Sequence, residues 1–69
     1  MTNSTILKIK ENIKKYRELL KLSQENLSEA AGISADYVSL IERGKRIPSV
    51  KRLCMIAKTL GVEPYELLK

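Results

Sequence analysis

Apolar residues near the start of the chain recur at spacings of three and four: Ile6, Ile9, Ile13, Tyr16 and Leu20. Such positions share one face of a helix, so the pattern predicts a first helix over 6–21. Ser23 is a good N-cap for a second helix, Gln24–Ala31, which Gly32 ends. Ser34 caps a third helix running to Arg43, with Gly44 as its stop. Pro48 lies in the next connection, and Ser49 caps a fourth helix through Leu60. The apolar face of that helix is Val50, Leu53, Ile56, Ala57 and Leu60, and Gly61 ends it. Pro64 then takes the first position of a short fifth helix, P-Y-E-L-L. No strand alternation, internal repeat, low-complexity segment or interdomain linker interrupts this order. The expected fold class is all-α: one compact five-helix domain spanning 1–69, with residues 1–5 as a flexible N-terminal arm.

The second and third helices are separated only by Gly32 and Ile33 before the Ser34 cap. Two short helices joined by so tight a turn, with a glycine in it, have the form of a helix-turn-helix. An ordinary helical hairpin in a small bundle has the same spacing.

Composition narrows the function. With 69 residues the chain is near the lower limit for a core that holds without staples. One cysteine and no histidine exclude an internal disulfide framework and any His-based metal or general-base site. That cysteine, Cys54, sits on the flank of the fourth helix, where packing is its expected role. There is no Gly-rich phosphate loop and no paired-carboxylate cleft, so the chain is not expected to be an enzyme, and no cofactor, metal or small-molecule ligand is implied. The first ten residues lack a signal-peptide apolar run, and no stretch is long enough to span a membrane. A reducing, cytoplasmic compartment is expected.

Charge is distributed unevenly. The formal net charge is +5. Residues 8–21 carry Lys8, Lys10, Lys14, Lys15, Arg17 and Lys21 against Glu11 and Glu18. Residues 22–42 carry no basic group and the acids Glu25, Glu29, Asp36 and Glu42. Residues 43–52 carry Arg43, Lys45, Arg46, Lys51 and Arg52 and no acid. Clustered Lys and Arg are the footprint of a protein that meets nucleic acid or another anionic surface. A solvated, solubilising surface has the same composition.

The string L-S-Q-E-N-L-S-E-A-A-G-I-S-A-D-Y-V-S-L-I-E-R-G-K-R-I-P-S, residues 22–49, closely resembles the phage-repressor and Cro-like (XRE) helix-turn-helix family. The resemblance continues through L-x-x-I-A-K-T-L-G-V at 53–62 and E-L-L at 66–68, and covers nearly all of the chain after residue 6. It implies a sequence-specific regulator of transcription, expected as a repressor, that binds double-stranded DNA as a homodimer on a pseudo-palindromic operator. The third helix would enter the major groove.

On a helical wheel, Val38 and Ile41 form the buried stripe of that helix, with Ser34 between them. Asp36, Ser39, Leu40 and Arg43 lie opposite, and Ala35 and Tyr37 flank the two sides. By position the base-facing candidates are Ser34, Ala35, Asp36, Ser39 and Leu40, with Tyr37 at the margin. Relatives often place Gln, Arg or Asn where this chain has Ala35, Asp36 and Leu40, so bidentate contacts from those positions are absent. Asp36 can accept from cytosine N4, Ser39 can bond either kind of edge, and Ala35 and Leu40 can pack on thymine methyls. Ser34 serves equally as a cap, Asp36 equally as a charge suited to the helix N-terminus, and Leu40 as an ordinary exposed apolar side chain. The resemblance assigns phosphate contacts to Gln24, Arg43, Lys45 and Arg46. Lys51 and Arg52 read as a solvated helix face.

The resemblance also pairs Arg17 with Glu42 in a structural salt bridge, which removes Arg17 from the DNA contacts. It places a dimer surface around the link between the fourth and fifth helices and the last helix, with Met55, Glu63, Pro64, Tyr65 and Leu68 as candidates, while Leu67 closes the core. Two alternatives remain open: an antitoxin built on the same fold, and a basic module that binds a protein or an anionic membrane surface.

Overall fold

Why the chain turns where it does is set by caps and by left-handed residues. In the computed structural model, which describes residues 3–69, helix α1 spans Asn3–Leu19, α2 Gln24–Ala31, α3 Ala35–Glu42 and α4 Val50–Leu60. A 3₁₀ helix, Pro64–Leu68, completes the order, and no strand occurs among the described residues. The fold class is therefore all-α, with the fifth element wound as a 3₁₀ turn rather than an α-helix.

Ser23, Ser34 and Ser49 each hold extended backbone and accept from an amide three residues on, at Asn26, Tyr37 and Arg52. Asn26 returns a bond to the Ser23 amide, so α2 opens on a reciprocal pair. Gly32 ends α2 at φ 73°, and the following Ile33 N–H reaches back to the Ser28 carbonyl at 2.9 Å. A left-handed residue is required there, and a Cβ would meet only the Met55 side chain, at 3.6 Å. Gly32→Ala should therefore cost the backbone penalty alone, about 1–2 kcal/mol, read as a lowered urea midpoint with an unchanged slope.

Two features of α1 differ from the pattern's expectation. Residues 3–5, expected as part of a flexible arm, belong to the first turn of the helix, while residues 1–2 of that arm lie outside the described residues. The helix also stops at Leu19, before Leu20. Lys21 takes φ 57°, and its N–H and that of Leu22 bond the carbonyls of Glu18 and Arg17. This is the same closing motif as at Gly32, but on a lysine. Leu20 is left half exposed, outside the core. Val50 is likewise excluded: it is the first residue of α4, projects beyond the core and is 76% exposed.

The core joins all elements. Ile9 and Ile13 from α1 meet Leu27 and Ala31 from α2, Val38 and Ile41 from α3, and Leu53, Ile56, Ala57 and Leu60 from α4. Leu67 closes it from the 3₁₀ helix, fully buried. Asn12 on α1 donates to the Leu67 carbonyl at 3.1 Å, which ties the C-terminal segment to the first helix. Each large apolar side chain so buried contributes about 1.5–3 kcal/mol. Cys54 is not part of this packing: it is exposed.

Candidate nucleic-acid interface

An open groove lies between the N-terminal end of α2 and the outward side of α3. Ser23, Gln24 and Glu25 form one wall, Ala35, Asp36 and Ser39 the other, and Arg17 reaches its floor from α1. The tight Gly32–Ile33 turn folds α3 back across α2, so that Gln24 at the start of α2 meets Glu42 at the end of α3 at 3.1 Å. Of the expected base-facing residues, the groove thus gathers Ala35, Asp36 and Ser39. Ser34 lies outside it, in a separate cleft with Gly32, Ile33, Tyr37 and Arg52, where its hydroxyl accepts from the Tyr37 amide at 3.1 Å. Leu40 is half-buried and does not line the groove.

Tyr37 departs from the expectation of a base-facing edge. It is 8% exposed and part of the core. Its ring packs inward beside Val38 and Ile41 because a large aromatic gains more from burial than the margin of the wheel suggests. Two guanidinium groups lie over the ring, Arg46 at 5.2 Å and Arg52 at 4.7 Å from the centroid. Arg52 is therefore not merely a solvated face of α4. It is held beside the helix-turn-helix, next to the cap of α3. Periodicity alone carried no signal for it, since the contact depends on how the start of α4 lies against Tyr37.

Arg17 and Glu42 do meet. Arg17 Nε donates to Glu42 Oε2 at 2.7 Å and Nη2 to Oε1 at 2.9 Å, a two-pronged pair whose side chains are 12% and 4% exposed. Arg17 Nη1 also donates to the Leu22 carbonyl at 2.7 Å. Gln24 Nε2 donates to Glu42 Oε1 at 3.1 Å. One carboxylate thus clips α1, α2 and α3 together at the floor of the groove. The hydrogen bonds that Arg17 donates to Glu42 raise the Arg17 pKa above its ordinary value, against an opposing desolvation, and the charges of Glu42 and Glu18 add to the rise. A raised folded-state pKa means that the contribution is fully present below the unfolded value and fades only as pH rises past the folded one. At neutral pH the guanidinium is charged and committed. Gln24, expected on a phosphate, has one of its two amide protons engaged in this network, leaving the other for the groove.

Arg17 is the cation that lines the groove. Arg43, Lys45 and Arg46 are exposed beyond the end of α3, and the ion pair among the described residues uses Arg17, not these three. Inside, Glu25 and Asp36 face a space whose own cation is already neutralised.

Among the described residues no group of His, Cys, Asp and Glu is placed to hold a metal, and no helix is long and apolar enough to cross a membrane. None of the expected dimer candidates lines this groove. Glu63 is exposed, Pro64 and Met55 are half-buried, and Tyr65 and Leu68 are exposed apolar side chains. Lys69 lies 5.2 Å over the Tyr65 ring.

A family model described as helix-turn-helix matches residues 13–67. The control protein C.SmaI of Serratia marcescens is 36% identical over 58 residues, covering 84% of this chain and 69% of its own length. An uncharacterised HTH-type transcriptional regulator of Methanocaldococcus jannaschii, MJ0272, is 42% identical over 55 residues, covering 80% and 83% of the two chains. Among solved structures, the restriction-modification controller protein C.AhdI of Aeromonas hydrophila superposes with a TM-score of 0.86 at 34% identity, covering 90% of this chain and 94% of that one.

Proposed function

Because the chain belongs to the helix-turn-helix family, we propose that it is a sequence-specific regulator of transcription that binds double-stranded DNA as a homodimer. The observation that carries this reading is the groove between the start of α2 and the outward side of α3, with Ala35, Asp36 and Ser39 on one wall and the exposed Arg43, Lys45 and Arg46 beyond the end of α3. The exposed side of α3 enters the major groove. Arg43, Lys45 and Arg46 grip phosphates on one side, and Arg52 joins them, held in place by the Tyr37 ring that also orients Arg46. Gln24 offers its free amide proton on the other side.

One module of this size reaches few base pairs. Two copies, joined through Tyr65, Leu68, Pro64, Glu63 and Met55, set their third helices about one DNA turn apart, roughly 34–36 Å, and so favour a palindromic site. The test is selection of bound duplexes from a random pool, with sedimentation of the protein free and on the selected duplex. The expected result is an enriched inverted repeat bound by two chains. Enrichment of no sequence, or stronger retention on anionic vesicles than on duplex at matched salt, overturns the reading.

A narrower reading is supported by the names of two relatives. C.SmaI is a control protein and C.AhdI a restriction-modification controller. On this reading the chain regulates a restriction endonuclease gene, and the selected site recurs in the promoter of such a gene beside its own.

A further inference from the structure

The first helix carries basic residues that the reading above leaves without a role, and one is placed unlike the rest. Lys10 is half-buried, and its chain lies across the turn that ends α3. A Cβ at Gly44 would sit 3.3 Å from Lys10 Cδ and 3.9 Å from Lys10 Nζ. Gly44 holds φ 72° and leaves open the space that the lysine crosses. The ammonium is thereby delivered from α1 to the segment that carries Arg43 and Lys45.

Among the described residues no carboxylate neutralises it. Positions three and four residues from Lys10 on α1 are Ile6, Leu7, Ile13 and Lys14, with no acid among them. Lys14, by contrast, has Glu11 and Glu18 at those spacings. Glu42, the acid nearest in sequence to Gly44, is taken up by Arg17 and Gln24. Among the described residues Lys10 belongs to no ion pair. Three cations from two elements, Lys10, Arg43 and Lys45, thus gather at the end of α3 without a carboxylate to balance them.

We infer that Lys10 is a DNA-backbone contact, completing with Arg43 and Lys45 a phosphate site at the C-terminal end of the recognition helix. The inference rests on the DNA-binding reading and deepens it: the clamp is built from α1 as well as from the loop after α3. A lysine suits the place because its long stem can cross Gly44 and still present a point charge to a phosphate.

The experiment is the salt dependence of binding to a duplex recovered from the selection, for the wild type, Lys10→Gln, Lys10→Arg and Lys8→Gln. Lys8 is exposed and lies about 160° from Lys10 around α1, so it removes the same net charge without touching the site. Loss of one phosphate contact makes the slope of log K against log salt shallower by about 0.9. The advantage of wild type over Lys10→Gln therefore shrinks about 3.5-fold between roughly 50 and 200 mM salt. Lys10→Arg and Lys8→Gln keep the wild-type slope, and the preferred bases stay unchanged throughout. A wild-type slope in Lys10→Gln, or an equal loss in Lys8→Gln, overturns the inference: the first leaves Lys10 only offsetting the helix end, the second reduces the effect to net charge. Failure of the wild type to bind duplex at all overturns the DNA-binding reading itself, and is distinguished by that fact.

Discussion

Glu42→Ala is expected to cost about 3–5 kcal/mol of stability, the largest loss for any change outside the apolar core. A domain of this size has about 3–10 kcal/mol in all, so the variant should be partly unfolded at physiological temperature. The reason is the number of donors that one carboxylate satisfies. Two come from Arg17 and one from Gln24, at 2.7, 2.9 and 3.1 Å. Removal leaves a guanidinium, 12% exposed, with only the Leu22 carbonyl as partner. The penalty is that of the stranded charge rather than the net value of the pair. Replacing both partners by apolar residues, Arg17→Met with Glu42→Leu, should therefore recover most of the loss. Urea unfolding of Arg17→Met, Glu42→Leu and the double variant measures this as a coupling energy. Single-variant losses that merely add in the double would show that the two side chains do not act as a unit.

The same network shows what could be read from the residues and what could not. Three serine caps and the glycines after α2, α3 and α4 mark the helix ends in the sequence, because caps and left-handed turns are local and require particular residue types. The end of α1 is the exception, since Lys21 occupies a left-handed position where glycine is usual. The Arg17–Glu42 pair spans 25 positions. No local pattern points to it, and only resemblance to relatives brought it forward. Gln24 shares Glu42 for the same long-range reason, and the residues of α2 alone carry no sign of it.

Tyr37 and Arg52 were obscured by a different limit. A wheel divides one helix into inward and outward sides, but burial depends on the neighbours. α4 begins close enough to bring Arg52 over Tyr37, and the core takes in the ring. Val50 and Cys54 err in the opposite direction. Both are apolar enough to suggest packing, yet one sits in the first turn of α4 and the other on its open side, and both face solvent. Positions set by the chain's own turns were legible, and positions set by contact between distant elements were not.

Asp36 should show the largest effect on recognition. Its side chain is exposed in the first turn of α3 and lines the groove with Glu25. The Arg17 charge that also reaches the groove is already bound to Glu42. Asp36 therefore faces any approaching duplex as an uncompensated negative charge. Such a group lowers affinity for DNA in general and recovers it only where a base edge donates to it, as cytosine N4 does. Asp36→Ala is accordingly expected to raise binding to unrelated duplexes while discrimination at one base pair of each half-site falls by about 1–3 kcal/mol. Asp36→Asn keeps the shape but offers a donor and an acceptor together, which suits adenine N6 and N7. It should move the preference at that pair toward adenine. Stability should change little, because a carboxylate near a helix N-terminus contributes only about 0.3–1 kcal/mol. Selection from random duplexes with the three proteins separates these outcomes. Identical preferred sequences in all three would mean that Asp36 serves the helix start alone, and reading would then fall to Ala35 and Ser39.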